Sequence, residues 1–389
     1  MYGWTIRDQK PLVLLLVVLA LAVAGCAPPG EKLVGKRFFW PPVWQGEPKF
    51  EYIRFVQSDW DVVKGKESWL VEAILGRPEP VPLFTRPMSI AATADGILVV
   101  GDSAKRTVLL LDTAKKEIKG FYRSSKQGNS IFTCFPADID VSSDGEFYVV
   151  DPTDKSVYRF NHDGKYLGSF GKDVLDWPTG ICVDEKRGRI YVVDSHRHHV
   201  VVFDSEGVFV ENVVSRVSQD GFFNYPLDVD VDREGNLYVL DAMNARVQVF
   251  SAKLEYKNQF GERGTKIGSF QSPKSLTVSP SGLVYVTDAR AHRFVVFNTS
   301  GQYLLTIGGE SMMTDGRVSP GGFYFPQGVY ATENDEIWVV DSLNRVVHQL
   351  QYLHEDYLEA HPLLPEQLIM EPEMGFSSEK LNDTKEDMR

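Results

Sequence analysis

Three cysteines in 389 residues leave little room for sulfur chemistry. There is no Cys-x-x-Cys-His, so the chain carries no c-type haem of its own. Gly-x-Ser-x-Gly and His-Glu-x-x-His are both missing, which removes two common hydrolase signatures. Gly261-Glu-Arg-Gly264-Thr-Lys266 has the wrong spacing for a phosphate loop, and no helix follows it. No basic stretch interrupts a chain of formal net charge −12, which argues against nucleic acid as a partner. The apolar run Leu12–Ala24 is too short to cross a bilayer core of about 30 Å as a helix.

What that run offers instead is an address. Arg7 and Lys10 precede it, as basic residues precede the apolar core of a secretory signal. It ends in Val23-Ala24-Gly25-Cys26, which resembles the bacterial lipobox. The resemblance implies cleavage after residue 25, diacylation of Cys26 and a stable lipid anchor in the bilayer, since two acyl chains hold where one does not. Ala27, not Asp, follows the cysteine, which by resemblance to enteric sorting points to the outer membrane of a bacterial cell envelope. An ordinary signal peptide with an incidental cysteine is the alternative. Residues 26–48 then read as a tether rich in Pro and aromatics, from Pro28-Pro29-Gly30 to Phe38-Phe39-Trp40-Pro41-Pro42-Val43-Trp44. Its rings either bind a partner or lie against the domain that follows.

Most of the chain is one pattern repeated six times. The repeat prolines are Pro87, Pro136, Pro178, Pro226, Pro273 and Pro326, and the repeat aspartates are Asp102, Asp151, Asp194, Asp241, Asp288 and Asp341. Asp to the closing apolar residue is 9 positions every time, as in Asp102 to Leu111 (111−102) and Asp241 to Phe250 (250−241). A strand-rich repeat of this length signals a radial or solenoid β architecture. In the fourth copy Leu227–Val231 alternates as a strand does, Asp232–Asn236 is a polar turn, and strands follow at Leu237–Leu240, Arg246–Phe250 and Leu254–Phe260. Four antiparallel strands with no crossover helix make one propeller blade. Phe223, Phe270 and Phe323, each three residues before a repeat proline, are placed to fill the gaps between blades.

The motif Pro-x-x-Val, Gly-Asn-Leu-Tyr-Val-x-Asp, Asn-x-Arg-Val-x-x-Phe at Pro226–Phe250 resembles the NHL repeat. The resemblance spans residues 86–350 and implies an all-β, six-bladed propeller of four-stranded antiparallel blades. The last copy lacks a fourth strand, and Phe50–Val56 supplies the expected one by pairing with Val346–Leu350 and closing the ring from the N-terminal side. The propeller is thus expected over 49–353. The segment 354–389 holds 10 acidic and 3 basic residues and reads as an acidic, flexible tail. Cys134 and Cys182 fall at different places in neighbouring repeats and read as small buried residues rather than a disulfide.

Strand order puts the second-to-third turns and the blade-to-blade loops on one face, where binding specificity usually resides. Arg106, Lys155, His198 with His199, Arg246, Arg293 and Arg345 follow the repeat aspartates there. They form either a docking ring for an anionic partner or a set of straps, each paired with an aspartate. On the innermost strands Asp138, Asp140, Asp228 and Asp230 face the axis. They are positioned to hold a hard cation such as calcium, or to bond backbone amides and water. Related propellers include amidating lyases with axial zinc, so the turn histidines His196, His198, His199 and His292 offer a second metal reading, against solvated turn residues. The leading expectation is a non-enzymatic, membrane-anchored scaffold that recognises an envelope protein or polymer. The family resemblance suggests a redox complex with a multihaem cytochrome. A propeller lyase or lactonase with an axial divalent metal is the alternative.

Overall fold

A computed structural model describes residues 38–41, 47–63, 79–213, 222–314 and 318–363. The expected signal segment 1–25, Cys26 and most of the acidic segment after His354 lie outside the described residues. Six antiparallel sheets are arranged around an axis, with five blades at residues 87–120, 138–170, 178–213, 228–260 and 273–308 and the sixth at 326–352. The first strand of each blade packs on the first strand of the next, and Pro326–Ala331 of blade six meets Pro87–Ala92 of blade one.

Blade four shows how the sequence produces the form. Its strands are Asp228–Val231, Leu237–Asp241, Arg246–Phe250 and Tyr256–Phe260, paired in that order from axis to rim. Every residue of Leu237–Asp241 is buried, because both faces of the second strand meet neighbouring blades. Asp232 Oδ1 accepts the N–H groups of Glu234 and Asn236, and Gly235 at φ 86 completes the turn between the first two strands. The fourth strand begins at Tyr256 rather than Leu254, since Leu254 sits at φ 63 and closes a turn onto the Ser251 carbonyl. Between blades, Phe223, Phe270 and Phe323 are buried as the repeat position implied. Phe270 packs among Val247 and Phe260 of blade four and Phe297 of blade five.

Ring closure follows the expected pairing. β1 is Phe38–Trp40 and β2 is Phe50–Val56. β2 runs antiparallel to Val346–Tyr352, from Phe50 opposite Tyr352 to Val56 opposite Val347, with an irregularity between Tyr52 and Arg54. β1 then adds a fifth strand to the blade, Phe38 opposite Tyr52 and Trp40 opposite Phe50, so part of the Pro/aromatic segment belongs to the propeller. Trp40 lies over Gly321, which at φ 72 has no Cβ to collide with the indole. The Tyr52 hydroxyl meets His348 Nδ1 at 3.0 Å, and His348 Nε2 lies 3.4 Å from Asp341. After blade six a short helix, Glu355–Ala360, opens the segment read as tail, with His354 Nδ1 accepting the Tyr357 N–H. The loop leaving blade one carries a hairpin, Tyr122–Ser125 with Gly128–Ile131, that docks on blade two through Arg123 over the Tyr166 ring.

Candidate functional site

The repeat aspartates are the frame of the loop face. All six are buried, and their carboxylates accept backbone N–H groups from the loop that enters the same blade. Asp288 takes Gln271 and Ser272 at 2.8 and 2.7 Å, and Asp194 takes Asp176 and Trp177 at 2.7 and 3.0 Å. Each aspartate therefore fixes the blade-to-blade loop against the second-to-third turn. Charge-assisted bonds of this kind are about twice as strong as neutral ones.

The cationic ring of the sequence resolves into two structural positions. Arg106, Lys155, His198 and Arg345 occupy a left-handed turn residue at φ 53 to 59, where blades four and five carry Ala245 and His292. His199, Arg246 and Arg293 are instead the first residues of third strands. Arg246 is buried and acts as a strap: its Nε meets Asp241 at 2.8 Å and a second nitrogen meets Gln259 at 2.8 Å. Arg293 lies 4.0 Å from Asp288 and donates to the Ser269 carbonyl. Lys155 reaches Asp176 at 2.6 Å on the surface, whereas Arg106 and Arg345 project into solvent. His199 is half-buried, and that burial holds its imidazole below the ordinary range.

A feature invisible in the repeat alignment is an exposed aromatic patch on this face. Trp177 (38% exposed) stacks on His196 with ring centroids 4.8 Å apart, and Tyr225 stands edge-on to both His196 and His198. Phe222 (66%) and Met243 (56%) extend it, joined through Asn224, whose carbonyl accepts the Met243 N–H. The signal that would have found it is the residue before the repeat proline, which is Trp177 in blade three and Tyr225 in blade four.

At the axis lies a cavity of about 600 Å³, opening among the first-to-second turns and lined by Asp138, Asp140, Asp228 and Asp230. First strands are sheet edges, so some of their N–H groups face the cavity without a strand partner. The four carboxylates supply the acceptors. Asp138 takes the Ile181 N–H at 2.9 Å and Asp140 takes Val183 at 2.7 Å, joining blades two and three. Asp228 takes Leu276 at 2.8 Å and Asp230 takes Val278 at 2.7 Å, joining blades four and five. Ser275 and Thr277 accept from Val329 and Ala331 in the same manner, from blade five to six. Blade three has Gly180 at this position, where a Cβ would stand 2.6 Å from the Asp228 backbone.

Burial, with Asp230 nearby, pushes Asp140 up to about 7. Burial raises Asp228 to about 6, and lifts Asp138, which also faces Asp228, well above the usual carboxylate range. Burial raises Asp230 too, and the Cys182 thiol, which donates to Asp230 at 3.3 Å, is raised well above its ordinary value. Among the described residues no group of three or more His, Cys, Asp or Glu side chains is placed to hold a metal ion. Each of the four aspartates already accepts a backbone N–H from the next blade, and Nδ1 of His198 and of His292 accepts one as well. Cys134 and Cys182 are free and buried.

Residues 175–203, 223–250 and 270–297 match the family model of the NHL repeat. The chain carries NHL repeats within a six-bladed β-propeller. Protein brain tumor of Drosophila melanogaster is 28% identical to it over 127 residues, 32% of this chain and 12% of that protein. B-box type zinc finger protein ncl-1 of Caenorhabditis elegans is 29% identical over 126 residues, again 32% of this chain and 14% of that protein. The matched region thus covers only a small fraction of each of these much longer relatives. Among solved structures it resembles a structural genomics protein of unknown function from Bacteroides thetaiotaomicron, with 15% identity and a TM-score of 0.55 over 69% of this chain and 70% of that one. It also resembles a streptogramin B lyase, with 12% identity and a TM-score of 0.51 over 69% and 94%. At these identities the likeness is one of fold alone.

Proposed function

We propose that this NHL propeller is a non-enzymatic scaffold of the bacterial cell envelope, held in the outer membrane by a diacylated Cys26 and binding a protein partner through its loop face. The supporting observation is the contrast in exposed groups. On the loop face Trp177, Tyr225, Phe222 and Met243 stand in solvent on turns fixed by buried aspartates, and such residues dominate interface hot spots. In the cavity the four aspartates accept backbone amides. A redox complex containing a multihaem cytochrome is the partner class to test first, on the family resemblance.

The test has two arms on the full chain. Radiolabelled fatty acid is expected in the wild type and not in Cys26→Ala; an unacylated, freely soluble mature protein defeats the anchor. A partner cross-linked in detergent extract is expected to drop at least tenfold with Trp177→Ala plus Tyr225→Ala; an unchanged yield defeats the loop face. Stoichiometric divalent metal on the purified protein, with a lyase or lactonase activity lost in Asp140→Ala and Asp230→Ala, would restore the enzymatic reading.

A further inference from the structure

In four blades the N–H just before the repeat proline donates to that blade's own aspartate: Arg86 to Asp102, Phe135 to Asp151, Trp177 to Asp194 and Ser272 to Asp288. Blades four and six depart from this. The Tyr225 N–H donates to Nδ1 of His198 at 3.0 Å, and the Phe325 N–H donates to Nδ1 of His292 at 3.2 Å. Each histidine belongs to the preceding blade. The same two blades have their aspartate oxygens filled from elsewhere, by the side-chain amides of Asn244 on Asp241 and Asn344 on Asp341. Tyr225 and Phe325 are also the two residues of this set with left-handed backbone, at φ 47 and 71. That conformation is unfavourable for an aromatic residue and persists only where its surroundings hold it.

An imidazole nitrogen accepts an N–H only when it carries no proton itself, so each of these bonds requires an unprotonated Nδ1. We propose that His198 and His292 are paired acid-sensitive latches that set the shape of the loop face, holding Tyr225 and Phe325 in left-handed backbone while neutral and releasing them when protonated. The biological use of the latches rests on the loop-face reading above; their existence does not. The sign is fixed by the geometry. A proton on Nδ1 removes the acceptor, so acid breaks the bond and base restores it.

The charged and titratable surroundings differ between the two copies. Beside His198 stands His199, which itself faces Asp194 and Arg197 of the same blade, and the Tyr225 ring lies edge-on from the next blade. His196, between Tyr225 and Trp177, lies 3.7 Å from Asp176 of the loop entering blade three. His292 is followed in the chain by Arg293, which faces Asp288 of the same blade at 4.0 Å, and Tyr324 of the next loop stacks on the ring at 5.3 Å with its own N–H on Asp341. Release at His198 frees a ring of the exposed patch, and release at His292 frees the end of the loop that carries Phe323 into the core.

Amide hydrogen exchange of the full chain, resolved to single residues and corrected for the intrinsic rate, tests this without any partner. Between about pH 7.5 and 5, spanning the ordinary histidine range, the Tyr225 and Phe325 amides are expected to lose roughly tenfold protection, the scale of one ordinary hydrogen bond. Trp177 and Ser272, held by carboxylates, serve as internal references and should show no such step. His198→Asn with His292→Asn keeps a neutral acceptor on a residue type that tolerates left-handed backbone, so protection should stay high at both pH values. Absence of the step in the wild type, or the same step surviving in the asparagine variants, overturns the latch. Failure of the loop face to bind protein would leave this measurement unaffected.

Discussion

Tyr225 and Asp228 stand close together in sequence, one on the loop face and the other on the cavity wall. Asp228 is buried with its oxygens on the Val229 and Leu276 amides, joining two blades. Tyr225 projects into solvent, 44% exposed, beside Trp177, Phe222 and Met243. The repeat gives both regions the same backbone, but acidic side chains at the axis meet backbone amide donors of the next blade, whereas loop-face side chains meet solvent. Acidic residues at the centre of a wheel therefore need not mean a ligand, and aromatic residues at its rim of loops are the stronger sign of one.

The contrast fails altogether if the wheel does not need its closure. Removing Phe50–Val56 strips blade six of its outer pairing, uncovers the Val346–Tyr352 edge and takes Phe50 from the core. The expected result is loss of the cooperative thermal transition by circular dichroism; an unchanged Tm would mean that wall and face do not depend on a closed ring. Next in size come the buried polar links. Arg246→Ala leaves Asp241 uncompensated and should cost about 3 kcal/mol in urea unfolding. Asp228→Ala orphans two amides and should cost about 2 kcal/mol. A cost below about 0.5 kcal/mol for Asp228→Ala would place the wall carboxylates outside the structural frame.

The pH dependence sharpens the same point. Asp140 and Asp228 have folded values of about 7 and about 6, above the unfolded aspartate value near 3.9. Their contribution is fully present below the unfolded value and is lost as pH rises through the folded ones. Stability should fall between about pH 4 and 7 for this set, and Asp140→Asn should flatten that fall in calorimetry. A steeper fall in the asparagine variant would contradict the assignment. The latches have the opposite sign, since they open in acid, and they act on two loops rather than on the whole wheel. Smallest of all is Arg345→Ala on the open face, expected within about 0.5 kcal/mol of the wild type; a loss comparable to that of Arg246→Ala would show that exposure does not separate the two cationic positions.

The blades and their closure were legible because hydrophobic alternation and the Pro-to-Asp register are local in the chain. Strand limits in blade four differ from the sequence reading by a residue or two, with Leu254 lost to a turn because a left-handed leucine leaves no trace in composition. β1 was hidden for a different reason: three residues, Phe38–Trp40, are too few to show a period. The cationic positions are adjacent in the chain, four and five residues after each aspartate, and composition does not separate the turn residue from the one that begins a strand. The inter-blade amide bonds of Asp138 and Asp140, and the latches at His198 and His292, join residues 27 to 43 positions apart, and no single repeat records them.

The bond between Tyr52 and His348 links residues 296 positions apart. A ribosome finishes β2 long before it makes that strand's partner, so a growing chain carries an unpaired edge through nearly all of its synthesis. Long-range pairing of this kind is slow to form. A chain that stops short of Val346 has nowhere to dock its beginning, which makes premature truncation a route to aggregation rather than to a smaller working wheel.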